Sequence, residues 1–130
     1  MIVDTSAIIA ILRDEPDARD LASALQEADI RRISAATYVE TAIVADSNRN
    51  ALISSSLDSF LSRSLISIEP FTVEQARLAR EAYRDFGKGR HRAGLNLGDC
   101  FAYALAKEKG EPLLFKGDDF RKTDVEAADY

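Results

Sequence analysis

Residues 1–12, Met1-Ile2-Val3-Asp4-Thr5-Ser6-Ala7-Ile8-Ile9-Ala10-Ile11-Leu12 (MIVDTSAIIAIL), join two kinds of structure at one acid. Residues 1–3 are a short apolar run of strand-forming type. Asp4-Thr5-Ser6 is a string of helix-capping side chains, and the residues after it are apolar material for a buried helix. The stretch reads as a strand that ends at Asp4 and turns at once into a helix through Leu12. A buried strand feeding directly into a helix is the opening of a βα unit, from which parallel sheets are built.

The same alternation continues along the chain. Pro16 suits the start of a second helix, with Ala18, Leu21, Ala22 and Leu25 at helical spacing. Residues 31–34 read as a second strand, followed by a helix over 36–46. Leu52, Leu57, Phe60 and Leu61 mark another helix, and 65–68 a strand before Pro70. From Thr72, apolar residues at Val73, Ala76, Ala79, Tyr83 and Phe86 predict a helix that Gly87 stops. Residues 99–109 are alanine-rich and end in Lys-Gly, as a helix should, with Asp99 opening it. Residues 112–115 read as a last strand, and Gly117-Asp118-Asp119-Phe120 as a turn. The expected fold class is α/β, a central, mostly parallel sheet of four to five strands flanked by helices. No repeat, low-complexity tract or linker divides it, so residues 1–130 are expected to form one domain.

Composition bounds what such a domain can do. With 46% hydrophobic and 30% charged residues the chain has the balance of a soluble globular protein. No apolar run is long enough to span a membrane, and the N-terminus has neither a basic segment nor an uninterrupted apolar one, which argues against a signal peptide. One cysteine permits no disulfide framework. A reducing compartment, most simply the cytoplasm, is expected. A net charge of −5 argues against holding nucleic acid by bulk electrostatics. The charge is uneven, however. Residues 80–92 carry five Lys/Arg against two acids, a local +3 that leaves −8 for the remainder. Within this window, Gly87-Lys88-Gly89-Arg90-His91-Arg92 leads through Ala93-Gly94-Leu95-Asn96-Leu97-Gly98 straight to Asp99.

In a parallel sheet the carboxyl ends of the strands form one rim, where ligands bind. Asp4, Glu40, Asp99 and Asp118-Asp119 all follow strands or open helices, so all fall on that rim. Each has a structural alternative. Asp4 and Asp99 could be N-caps, Glu40 could close a capping box with Thr37, and Asp118-Asp119 could be turn residues. Glu40, within Tyr38-Val39-Glu40-Thr41-Ala42-Ile43-Val44, and Asp99, before Cys100-Phe101-Ala102-Tyr103-Ala104-Leu105, fit those alternatives least, because a lone carboxylate in apolar surroundings is expensive. Converging carboxylates repel unless a cation is bound. An all-oxygen donor set, with one histidine and one cysteine in the chain, points to Mg²⁺, with Mn²⁺ as a substitute, rather than zinc. Carboxylate-held Mg²⁺ serves phosphoryl transfer by activating water and neutralising charge on the phosphate. A polyanionic substrate repelled by the acidic body then needs the cations of the 88–92 loop.

These residues resemble the PIN-domain nucleases, and within them the VapC toxins of bacterial toxin–antitoxin pairs. The resemblance rests on VDTSA at 3–7, the YVETA helix at 38–42, GDCFAYALA at 98–106 and LLFKGDDF at 113–120, in order, and covers about residues 3–124. GKGRHRAGLNLGDC at 87–100 is similar to one VapC subgroup. The resemblance implies a PIN-like fold and marks Asp4, Glu40 and Asp99 as the acidic site; Asp4 and Asp99, on adjacent strand and helix ends at one rim, are the expected metal ligands, with Glu40 and Asp119 or Asp118 as further candidates. The fourth acid of the family lies in a terminal T-N-D-x-D-F motif. Gly117 stands here at the first aspartate of that pattern; Asp119 aligns with the second, and Asp118 could substitute by a small turn shift. The resemblance further implies Mg²⁺-dependent cleavage of RNA, often tRNA or rRNA, a homodimer, and inhibition by a VapB-type antitoxin covering the active site.

Ser6, two residues past Asp4, could orient a water or phosphate oxygen or simply cap the helix. Lys88, Arg90, His91 and Arg92 are the expected RNA contacts, solvation being the plainer alternative for any one of them. Cys100 reads as inert core packing, and the aromatic residues Tyr38, Tyr83, Phe101 and Tyr103 as core or dimer surface. Two other functions compete with a nuclease. A phosphoacceptor signalling domain would also carry an acidic Mg²⁺ pocket, and a lysine placed like Lys116, but needs a second acid where Asp4 is followed by Thr5-Ser6. A catalytically silent binding module would have lost part of its acidic set, whereas Asp4, Glu40 and Asp99 are all present.

Overall fold

The computed structural model describes residues 1–130 and alternates short strands with helices. Strand β1 (Ile2–Val3) runs into helix α1 (Thr5–Leu12), and α2 (Ala18–Glu27) follows. Next come β2 (Arg31–Ser34), α3 (Ala35–Asp46), α4 (Ala51–Arg63), β3 (Ile66–Glu69), α5 (Val73–Phe86), α6 (Leu97–Lys109) and β4 (Leu113–Leu114). A short 3₁₀ turn covers Phe120–Lys122. The strands form one sheet in the order β3-β2-β1-β4, every pair parallel. In place of a fifth strand there is a single bridge between Leu113 and Ala127, which covers the outer edge of β4.

The two-residue period of the strands builds a core on each face. Val3 and Leu114, paired across β1 and β4, pack with Ile8, Leu21, Leu25, Leu57 and Leu61 of the helices on one side. Ile2 and Leu113 turn the other way, onto Ala79, Ala82, Ala102 and Leu105 of α5 and α6. Burying each large aliphatic side chain of this kind contributes about 1.5–3 kcal/mol. The result is a sheet between two helical layers. β1 lies at the centre; the chain steps to β2 and β3 on one side and returns to add β4 on the other. The reversal falls between β1 and β4, where a crevice opens at the carboxyl ends of the strands.

One helix start differs from the sequence expectation, and another removes an alternative the sequence left open. α3 is capped by Ser34, whose Oγ accepts the Ala36 amide at 3.2 Å, so Thr37 and Glu40 form no capping box. α6 opens at Leu97 with Asn96 as its cap, three residues before Asp99. Asp99 still shares the work: Asn96 Oδ1 accepts the Asp99 amide at 2.8 Å and Asp99 Oδ2 accepts the Asn96 amide at 3.0 Å. This reciprocal pair is a capping box in which Asp99 is the third helical residue. The helix opens ahead of Asp99 because Asn96, also able to cap, stands three residues before it, and local sequence does not rank the two.

The basic loop is a closed knuckle. The Lys88 amide donates to Leu95 O at 2.8 Å and the Leu95 amide to Phe86 O at 2.9 Å. His91 is half-buried inside it, its ring edge-on to Phe86 and its Nδ1 accepting the Ala93 amide at 3.0 Å. No helix is long and apolar enough to cross a membrane.

Candidate active site

At the carboxyl ends of β1 and β4 lies an open cleft of about 380 Å³ lined by Asp4, Thr5, Ser6, Glu40, Asn96 and Asp99, with Arg13, Glu15 and Lys116 also on its wall. Asp4 follows β1 directly and caps α1, as its position predicts. Its Oδ2 accepts both the Ser6 amide, at 2.9 Å, and the Ser6 hydroxyl, at 2.6 Å. Its Oδ1 is buried and has no hydrogen-bond partner. The residue is only 3% exposed. Burial raises its carboxyl from 3.8 to about 6; the Ser6 bonds oppose the rise and the Glu40 charge adds to it. An orphaned carboxylate oxygen costs several kcal/mol unless something binds it. Capping α1 occupies one oxygen of Asp4 and leaves the other free of hydrogen bonds.

Glu40 reaches the cleft from the second turn of α3. Thr5 Oγ1 donates to its Oε1 at 2.5 Å; Thr41 Oγ1 lies 2.9 Å from Thr5 Oγ1 and 2.8 Å from Thr37 O, and its one proton goes to one or the other. The Thr5 hydroxyl of α1 thus holds one face of the carboxylate. Gly98 of α6 lies against the other, and a β-carbon there would overlap Glu40 Oε2.

Asp99, on the first turn of α6, is half-buried. Burial lifts its carboxyl from 3.8 to about 7, the Asn96 amide opposes this, and Asp4, Glu40 and Asp119 each push it higher. The Asp119 charge therefore acts on the cleft. Asp118 and Asp119 are exposed beside Gly117, whose φ of 102° is the left-handed conformation glycine tolerates. Neither Asp118 nor Asp119 lines the cleft.

The cations on the cleft wall are not those singled out in the sequence. Lys88, Arg90 and Arg92 stand exposed on the knuckle and do not line the cleft. Lys116 and Arg13 do. Lys116 Nζ is paired with Glu15 at 2.5 Å and Asp17 at 3.1 Å, whereas no ion pair engages Arg13. Arg13, Glu15 and Gly98 were missed because nothing local distinguishes a rim arginine, an acid after a helix or a glycine in a first turn. Cys100 is fully buried, its thiol pushed up to about 11 by burial and by Asp99, as an inert core residue should be. Tyr103 is buried with its hydroxyl on Asp124, and Phe101 stacks edge-on against Phe71 at 5.1 Å.

The donor set suits a hard divalent cation: oxygens alone, one of them buried without a partner. No three acidic, histidine or cysteine side chains already form a ready-made cage. Mg²⁺ needs none, since it keeps several waters and takes one or two carboxylates from the protein.

Comparison with known proteins shows the family to which the fold belongs. The PIN domain family model matches residues 1–126. Ribonuclease VapC28 of Mycobacterium tuberculosis is 59% identical over 129 residues, 98% of this chain and 97% of that protein. Two solved structures share the fold at lower identity. Mycobacterium tuberculosis VapC20, a sarcin–ricin loop cleaving toxin, has a TM-score of 0.76 at 16% identity over 95% of each chain. A chain of a toxin–antitoxin complex from Klebsiella pneumoniae has a TM-score of 0.69 at 18% identity, over 95% of this chain and 92% of that one. The chain belongs to the PIN-domain family, in its VapC branch.

Proposed function

We propose that this chain is a metal-dependent endoribonuclease, the toxin of a VapBC-type toxin–antitoxin pair. The observation that carries the proposal is the convergence of Asp4, Glu40 and Asp99 on one cleft, with Asp4 Oδ1 buried and unpartnered. Asp4 and Asp99 are the residues that would hold Mg²⁺ or Mn²⁺, with Glu40 and Asp119 completing the acidic set. When bound, such an ion supplies charge neutralisation at the scissile phosphate and water acidic enough to attack it near neutral pH.

The protein's own groups prepare the site. Ser6 orients the Asp4 carboxylate and also accepts the Lys116 amide at 3.0 Å, so it ties the ends of β1 and β4 together. Thr5 holds Glu40 and the Asn96 amide holds Asp99, so all three carboxylates are oriented before substrate arrives. Arg13 and Lys116 offer cationic contacts at the cleft, and Lys88, Arg90 and Arg92 a second set on the knuckle for more distant phosphates. His91, folded into the knuckle, supports that loop.

Ribonuclease VapC28 and the sarcin–ricin loop cleaving toxin support RNA as the substrate class, with tRNA or rRNA as the expected targets. The Klebsiella complex supports a VapB-type antitoxin as partner, neutralising the toxin by covering this cleft. Beside the cleft, Val39, Ile43 and Leu97 are 54–64% exposed on the adjoining faces of α3 and α6. Such an apolar strip supports a homodimer. The phosphoacceptor alternative has nothing to favour it, because the side chain after Asp4 is committed to Glu40 and Thr41.

The deciding experiment incubates labelled tRNA and rRNA with the purified protein, with Mg²⁺, with Mn²⁺ and with EDTA. Cleavage that requires the ion and stops on addition of the antitoxin is expected. Metal-independent cleavage, or phosphorylation of Asp4 by a small phosphodonor, would overturn the proposal.

A further inference from the structure

Gly98 is out of place by the rules of helix formation. It lies inside α6, one residue after Leu97, without the positive φ that would call for glycine. At such a position alanine is intrinsically favoured, because glycine loses more conformational freedom on ordering. A residue that breaks a local rule points to a compensating demand elsewhere. The three atoms nearest to a β-carbon at 98 are Oε2, Cδ and Oε1 of Glu40, the first two in outright overlap and the third at 2.8 Å. The atoms in the way are thus the end of one flexible side chain, with no backbone among them.

We propose that Gly98 is a positioning residue: its missing side chain is the socket in which the Glu40 carboxylate sits, between α6 and the Thr5 hydroxyl. The inference rests on the reading of the cleft as a metal-dependent site. Glu40 comes from α3, Thr5 from α1 and Gly98 from α6, so the socket registers three elements against one another. Thr5 supplies attraction on one side; on the other, the bare backbone supplies space. A methyl group at 98 leaves the fold intact, since only a side-chain end must move, but it drives the carboxylate off Thr5 and away from Asp4 and Asp99. Shortening Glu40 to aspartate withdraws the carboxylate by one methylene, and a β-carbon at 98 then has room.

Two measurements test this, one of them without metal or substrate. The first is a thermal-unfolding cycle of wild type, Gly98→Ala, Glu40→Ala and the double variant in EDTA. If Glu40 fills the socket, alanine at 98 raises the melting temperature more in the Glu40→Ala background than in the wild type, because the helix preference is then realised without a collision. Equal shifts in both backgrounds would overturn the proposal. The second titrates Mn²⁺ alone. Gly98→Ala is expected to bind about 10–100-fold more weakly, the usual penalty when a group orienting a metal ligand is lost. Adding Glu40→Asp to Gly98→Ala should recover part of that loss, although Glu40→Asp weakens binding in the wild type. Wild-type affinity in Gly98→Ala, or no recovery in the double variant, would overturn the positioning role. If the wild-type protein binds no Mn²⁺, the metal-site reading fails, while the unfolding cycle still decides whether Gly98 seats Glu40.

Discussion

The Ser6 hydroxyl donates to Asp4 Oδ2 at 2.6 Å while accepting the Lys116 amide at 3.0 Å, so one side chain orients the most buried acid of the cleft and closes the gap between β1 and β4. Ser6→Ala should lose about 1.5–3 kcal/mol, the range for a hydrogen bond to a charged group. The measurement is urea unfolding at pH 8, where Asp4 is ionised. The bond also opposes the upward shift of the Asp4 carboxyl, so the variant should protonate at higher pH than the wild type. Unchanged stability at pH 8 would show the hydroxyl to be dispensable.

Asp4→Asn and Asp99→Asn should each abolish RNA cleavage while circular dichroism shows the fold intact. Both changes keep the shape and remove the charge. A variant that retains the wild-type rate in Mg²⁺ removes its residue from the site, and if both do, the nuclease proposal fails.

Divalent metal should stabilise the protein, because an ion that binds only the folded state adds RT ln(1 + [M]/Kd), about 2.7 kcal/mol at 100 times Kd. Asp99 is raised by Asp4, Glu40 and Asp119, so Asp99→Asn should stabilise the metal-free protein and remove the Mg²⁺-induced rise in melting temperature. An undiminished rise in that variant would place the ion elsewhere.

In the folded, metal-free protein Asp4 and Asp99 hold their protons up to about pH 6 and 7, against 3.8 for an ordinary aspartate. The folded state therefore binds more protons than the unfolded one between about pH 4 and 7, and stability falls as pH rises through that interval, then levels off. For Asp4 alone the loss approaches 3 kcal/mol, at about 1.4 kcal/mol per pH unit. Glu69, Glu111 and Asp124, lowered by Arg32, the N-terminal ammonium, Tyr103 and Lys107, act with the opposite sign and lose their contribution only in stronger acid. The free energy of unfolding measured against pH in EDTA should peak near the ordinary carboxylate range and decline towards neutrality. Saturating Mg²⁺ or Asp4→Asn should shallow the decline, and a flat profile from pH 4 to 7 in EDTA would contradict it.

The two sets of cations can be separated by salt dependence. Each phosphate contact on a single strand contributes about 0.7 to the log–log salt slope of binding. Replacing Lys88, Arg90 and Arg92 together by Gln should flatten the slope by roughly 2 if all three meet phosphate. Saturating RNA should restore much of the rate, because the carboxylates are untouched. Arg13→Gln should flatten it by about 0.7 and, as Arg13 lines the cleft, should also slow cleavage at saturation. A triple variant with an unchanged slope that escapes the antitoxin would assign the knuckle to the partner.

Much of this molecule follows from short-range chemistry. The strand ending at Asp4, the cap on α1, the helical spacing from Val73 to Phe86 and the stop at Gly110 depend on neighbours within about one helical turn, and so can be read along the chain. The rim position of Asp4, Glu40 and Asp99 follows as well, since parallel strands put their carboxyl ends on one side. Capping was less legible: Ser34 competes with Thr37 and Asn96 with Asp99, and only the packed helix settles which one closes it. The sequence by itself determined an α/β chain with acids gathered at one edge. Tertiary structure alone decided that Thr5 meets Glu40, that Gly98 leaves room for it, and that Arg13 lines the cleft while the knuckle does not. Caps and periodicities are interactions over a few residues, whereas these contacts join segments tens of residues apart, and nothing in a residue's immediate neighbours encodes which distant helix will pack against it.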